Sequence, residues 1–174
     1  MKKFMLTAAG LASVGLAGVA GADAVVDFSV DGPGGNSVSY DIGATGSAGM
    51  VSISLDFTNA GGWTYAGDLL IAFVDADGNG VEYGGWNLTF GYSSIGDFAS
   101  SWDTSSSGSF SGTIDLSAAG LNGIATVMMA DGYSGGSSTD NWTGSMTIAG
   151  VDVPAPGALA LLGLAGLAGR RRRR

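Results

Sequence analysis

The sequence predicts an all-β protein, an antiparallel β-sandwich or jelly roll of about eight strands. An N-terminal signal peptide and a C-terminal hydrophobic segment flank it. Three observations carry this reading. Apolar and polar residues alternate with a period of two over much of residues 25–153. Clusters of Gly, Ser, Asp and Asn separate the alternating runs. No stretch between them repeats its apolar residues at helical spacing.

The strands follow in order. Val26, Phe28 and Val30 alternate with Asp27, Ser29 and Asp31, and Val38, Tyr40 and Ile42 alternate with Ser37, Ser39 and Asp41. Val51, Ile53, Leu55 and Phe57 form the longest run. Leu69 to Val74 is continuously apolar, as suits a strand covered on both faces. Trp86, Leu88, Phe90 and Tyr92 alternate with Asn87, Thr89 and Gly91, which predicts a fifth strand. Phe110, Ile114 and Leu116 keep phase across Gly112, Ile124 to Met129 is a second buried run, and Trp142, Met146 and Ile148 close the series. Ser/Gly-rich stretches at 100–109 and 132–139 read as exposed loops.

Composition excludes many functions. The 174 residues hold 32 Gly, no Cys and no His, and only 13% are charged, about half the usual share. All seven cations lie at the ends: Lys2, Lys3 and Arg170 to Arg174. Of the 15 acids only Asp23 precedes residue 25, so residues 25–153 carry 14 acids and no base. Phosphates and anionic lipid would be repelled, which excludes nucleic acid as a partner and disfavours an anionic membrane surface. No ion pair can form inside this body, and the charge favours a soluble monomer. No disulfide can staple it. A Ser nucleophile would lack a base, zinc would lack its customary His or Cys, and no phosphate loop exists. Only a carboxylate pair could catalyse, and the sequence singles none out. The body therefore reads as non-catalytic.

The ends read as sorting signals. Lys2 and Lys3, the apolar run Phe4 to Ala20 and the small residues of Ala22-Asp23-Ala24 have the three parts of a secretory signal peptide. Cleavage after Ala24 would leave Val25 as the new terminus, and cleavage after Ala22 is the alternative. At the other end come Val153-Pro154-Ala155-Pro156, an apolar stretch from Gly157 to Gly169, and five Arg. As a helix the stretch would be about 20 Å long, short of the ~30 Å hydrocarbon core. It could hold the chain in a membrane temporarily, with Arg170, Arg171, Arg172, Arg173 and Arg174 on the cytoplasmic side. A disordered basic tail is the plainer alternative. The resulting division is 1–24 signal peptide, 25–153 acidic sandwich and 154–174 tail.

Pro154-Ala155-Pro156, the Leu/Gly/Ala segment and the Arg cluster together resemble the PEP-CTERM sorting signal, a tail also named the ice-binding protein C-terminal domain. Ala155 stands where that motif has Glu, and no regular Thr-x-Thr array accompanies it. The resemblance implies an exported protein of a Gram-negative bacterium that makes exopolysaccharide. An exosortase-type enzyme would process the tail after transient anchoring in the inner membrane, and the body would reach the envelope or extracellular matrix. In the body, Ser52 to Thr58, Trp63 to Ile71, Asp75 to Gly78, Gly123 to Asp131 and Asp140 to Ile148 are similar to the P-domain of proprotein convertases. That likeness implies a jelly roll that binds or assists without catalysis of its own.

Two constellations could bind something. Asp75-Ala-Asp77-Gly-Asn79-Gly80 matches the start of an EF-hand-type calcium loop, with Glu82 as a further ligand. Trp86 holds the place of the closing Glu, so the loop is not an EF-hand. A hairpin turn explains the same residues. Asp131 and Asp140 flank a second loop that could take calcium. Aromatic rings are the other constellation: Trp63, Tyr65, Trp86, Trp102, Tyr133 and Trp142 lie at strand edges or in loops. Trp86 and Trp142 are in phase with apolar neighbours and are expected in the core. Trp102 and Tyr133, inside Ser/Gly loops, are the expected carbohydrate contacts.

Overall fold

A computed structural model of the chain describes residues 23–32, 36–59, 61, 63–135 and 140–153. Among these described residues nine strands form two sheets. β1 (Ala24–Asp31), β3 (Met50–Thr58), β7 (Gly108–Asp115) and β9 (Asn141–Ile148) make one sheet in the order β1-β9-β3-β7. β2 (Ser37–Ala44), β4 (Leu69–Val74), β5 (Gly80–Gly84), β6 (Ser93–Ser94) and β8 (Ile124–Asp131) make the other in the order β2-β8-β4-β5-β6. All pairings are antiparallel except the two-residue β5–β6 pair. The chain passes between the sheets as a jelly roll does, with β6 added at an edge. Among the described residues no helix is long and apolar enough to cross a membrane.

Alternation in the sequence becomes alternation of burial. β1 and β3 bury every second residue, so Val26, Phe28, Val51, Ile53, Leu55 and Phe57 meet the facing sheet while Asp and Ser face outward. β4 lies between β8 and β5 and buries Leu69, Leu70, Ile71, Ala72 and Phe73. Its continuous apolar run reflects cover on both faces, because the 85–92 segment lies across the outer one: the isobutyl side chain of Leu70 packs beside Gly85. Burial of each such large aliphatic or aromatic side chain stabilises the fold by about 1.5–3 kcal/mol.

The expected strand at Trp86–Tyr92 is a loop. Its backbone hydrogen bonds leave the ladder: the N–H groups of Trp86, Asn87 and Leu88 all donate to the Gly132 carbonyl, at 3.3, 3.1 and 3.0 Å. The Phe90 N–H and the Thr89 hydroxyl donate to the Glu82 carboxylate at 3.0 and 2.6 Å. The pairing role belongs instead to β5, directly after the turn that reverses β4. Trp86 is correspondingly not a core residue but is 76% exposed. Trp142 is buried as expected; its ring lies 5.0 Å from Phe57, and its indole N–H donates to the Ala66 carbonyl at 2.9 Å.

Candidate functional site

Strand direction gathers four connections at one end of the sandwich. These are β3–β4 with Trp63, Tyr65 and Asp68, β5–β6 with Trp86, β6–β7 with Asp103, and β8–β9 with Tyr133. The six side chains line a cleft of about 460 Å3. That size suits a small ligand or a few units of a polymer. Trp63 and Trp86 are 78% and 76% exposed, the most open of the large apolar side chains among the described residues, and Tyr65 is partly exposed. Burial of such rings would be strongly favourable, so leaving two of them bare marks a contact surface.

Gly132 joins the loops. Its N–H donates to the Asp68 carbonyl at 2.7 Å, and its carbonyl receives the three N–H groups of residues 86–88. A β-carbon at this position would stand 2.5 Å from the Gly85 α-carbon and 2.6 Å from the Asp68 carbonyl oxygen. Only glycine permits so close an approach of three backbones. The Ser134 N–H donates to the Asn87 side-chain oxygen at 2.8 Å, and the Ala66 N–H donates to the Thr104 carbonyl at 3.0 Å. The aromatic rim is therefore held by a hydrogen-bonded loop network beneath it.

Carboxylates lie beneath and beside the rings. Asp68 accepts the Tyr65 N–H at 2.8 Å, and Asp131 accepts the Tyr133 N–H at 2.9 Å. Asp68, Asp131 and Asp140 are all buried. Burial raises the Asp68 carboxyl above the usual range, against the Tyr65 N–H, and the charges of Asp103 and Asp140 raise it further. Burial pushes Asp131 up to about 7; the Tyr133 N–H opposes this, and the charges of Asp68 and Asp140 add to it. The second carboxyl oxygen of Asp131 is buried with no hydrogen-bond partner among the described residues. No Lys, Arg or His exists between residues 4 and 169 to neutralise the group.

Of the two expected carbohydrate contacts, Tyr133 lines the cleft and Trp102 does not. Trp102 is 3% exposed. A 3₁₀ turn at Ser100–Trp102 carries its ring inward, where it stacks on Phe98 at 4.2 Å and 12° and meets Phe110 at 5.2 Å. The Ser-rich flanks suggested exposure, but the aromatic pair across the loop supplies a small core. Trp63 and Trp86 take the rim position.

The expected calcium loop lies at the opposite end, in the turn between β4 and β5. There Asp75 acts as the cap of its own turn. Its carboxylate accepts the N–H groups of Asp77 and Asn79 at 3.0 and 2.9 Å, the Asn79 amide at 3.1 Å, and the Asn122 N–H at 3.4 Å. The Asn79 side-chain bond leads the effects holding its carboxyl below the usual range. Glu82 is turned away onto the 85–92 loop, where it holds Thr89 and Phe90. Among the described residues no three acids are gathered for a metal ion.

Ala24, expected at the signal-cleavage site, is the first residue of β1, buried and paired with Ile148. Ala22 lies outside the described residues, as do Pro154, Ala155, Pro156 and Arg170, Arg171, Arg172, Arg173 and Arg174.

Comparison with known proteins returned no matching family model and no matching curated protein.

Proposed function

We propose that this is an exported, non-catalytic protein of the cell envelope or extracellular matrix, whose body holds extracellular polysaccharide in the aromatic cleft. Support for export and sorting comes from the sequence of the two ends: Lys2-Lys3 with its apolar run, and Pro154-Ala155-Pro156 with the apolar segment and Arg cluster. In this reading an exosortase-type enzyme processes the tail. Membrane contact is confined to that tail before processing.

The observation that carries the binding role is the pair of bare indoles, Trp63 and Trp86, on the rim of a cleft also lined by Tyr65 and Tyr133. Flat rings stack on the apolar C–H faces of pyranose units, while Asp68 and Asp103 accept hydrogen bonds from hydroxyl groups. The non-catalytic part of this reading rests on composition: residues 25–153 hold no His, Cys, Lys or Arg to activate a nucleophile. Asp131, the acid with the most perturbed carboxyl, is wholly buried beneath the cleft and does not line it.

The test is retention of the host's exopolysaccharide by the purified full chain and by its Trp63→Ala and Trp86→Ala variants. Retention by the native chain and loss in both variants is expected. Retention unchanged in both variants would refute the assignment of the cleft.

A further inference from the structure

We infer that the cleft selects a cationic ligand, the protonated amine of a de-N-acetylated amino sugar within a polysaccharide. The inference rests on the carbohydrate reading of the same cleft and narrows it.

The wall chemistry is one-sided. Four aromatic rings and two carboxylates line the cleft, and no basic side chain exists anywhere in the body. Ring faces carry the negative end of the aromatic quadrupole and attract ammonium groups placed over them. Aromatic rings beside carboxylates form the kind of cage that accepts organic cations. Uronates, sulfated glycans and phosphorylated glycans would meet Asp68 and Asp103 with like charge. A neutral sugar would stack on the rings but would leave both acids facing hydroxyl groups alone.

A second observation points the same way. Asp68 and Asp131 are both buried in a body whose sequence supplies no basic residue, and one oxygen of Asp131 has no hydrogen-bond partner among the described residues. Through-space repulsion links Asp68 to Asp140 and Asp131 to both. Asp68 also lines the cleft, so a cation bound there relieves this repulsion as well as meeting the rings. The 14 acids of the body attract cationic polymer over a longer range and speed its encounter.

The experiment is a binding titration of the full chain, followed by tryptophan fluorescence, with three tetrasaccharides: glucosamine, N-acetylglucosamine and galacturonate. It is run at about pH 6, below the usual range for amines. The glucosamine tetramer should bind about tenfold or more tighter than its acetylated counterpart, and galacturonate should not bind. Trp63→Ala and Trp86→Ala should each weaken glucosamine binding about fivefold or more, and Asp103→Asn about threefold. Asp27→Asn removes the same charge from the exposed face of β1 and should leave binding unchanged. Equal binding of the two glucosamine forms, lost in the Trp variants, would overturn the charge selection and leave the carbohydrate reading standing. Weakening by Asp27→Asn equal to that of the cleft variants would reduce the effect to non-specific attraction and overturn the inference. Absence of binding by every tetramer would overturn both readings.

Discussion

The buried carboxylate of Asp131 accepts the backbone N–H of Tyr133 at 2.9 Å, two residues along the chain. An acid without a counter-charge thus holds a ring of the cleft in place. Asp68 repeats the arrangement for Tyr65 at 2.8 Å. The same groups that shape the cleft therefore carry its electrostatic strain.

This coupling predicts how stability varies with pH. Asp131 titrates near 7 in the fold and near 3.9 when unfolded, so the unfolded chain loses its proton first as pH rises. The contribution of Asp131 is fully present below about pH 4 and is lost as pH rises toward 7, up to about 4 kcal/mol. Asp68 shifts in the same direction. Thermal unfolding between pH 4 and 8 should show the melting temperature falling across this window. Asp131→Asn, which keeps an acceptor for the Tyr133 N–H, should flatten much of the fall. A native profile flat from pH 4 to 8 would contradict the assignment.

Gly132→Ala tests the loop junction. The added methyl has no room between Gly85 and Asp68, so the loops must part. A loss of about 1–3 kcal/mol is expected, together with loss of ligand retention. Gly108→Ala, where the added methyl would meet only the Phe110 ring at ordinary contact distance and the backbone is not left-handed, is the control for a small glycine effect. Unchanged unfolding and retention in Gly132→Ala would show that the junction does not support the cleft.

Asp75→Ala should destabilise the protein by about 1–3 kcal/mol, because several N–H groups lose their acceptor. The loss should be the same with calcium and with a chelator, as befits a turn cap. A loss seen only with calcium would restore the metal reading of this loop.

Processing at the N-terminus should leave Ala24 in place, since it pairs with Ile148 and is buried at the start of β1. Cleavage after Ala22, giving a chain that begins at Asp23, is the expected outcome on intact mass measurement of the exported protein. A chain that begins at Val25 would contradict it.

Much of the sandwich was legible because one sheet face is dry and the other wet. Val51 to Phe57 and Val26 to Val30 declare their inward residues by alternation alone. β5 was not legible, because Gly80 and Gly84 bound it and leave only Val81, Glu82 and Tyr83 to carry a pattern. The alternation at Trp86–Tyr92 misled for a tertiary reason: one carbonyl and one carboxylate take the backbone donors that a neighbouring strand would have taken. The site was legible in kind but not in membership. Trp102 lies in a Ser-rich run that reads as exposed, and only its contacts with Phe98 and Phe110 show it to be core. Trp63 sits five residues before Asp68 in a loop whose partners come from three distant segments, which no local pattern encodes.

The most direct test compares two tryptophans in one binding measurement. Trp86→Ala should leave the melting temperature nearly unchanged and abolish retention of exopolysaccharide, whereas Trp102→Ala should cost about 3–5 kcal/mol of stability through its buried ring. If the Trp86→Ala chain, folded as the native chain is, still held the polysaccharide with native affinity, the aromatic cleft would not be the binding site.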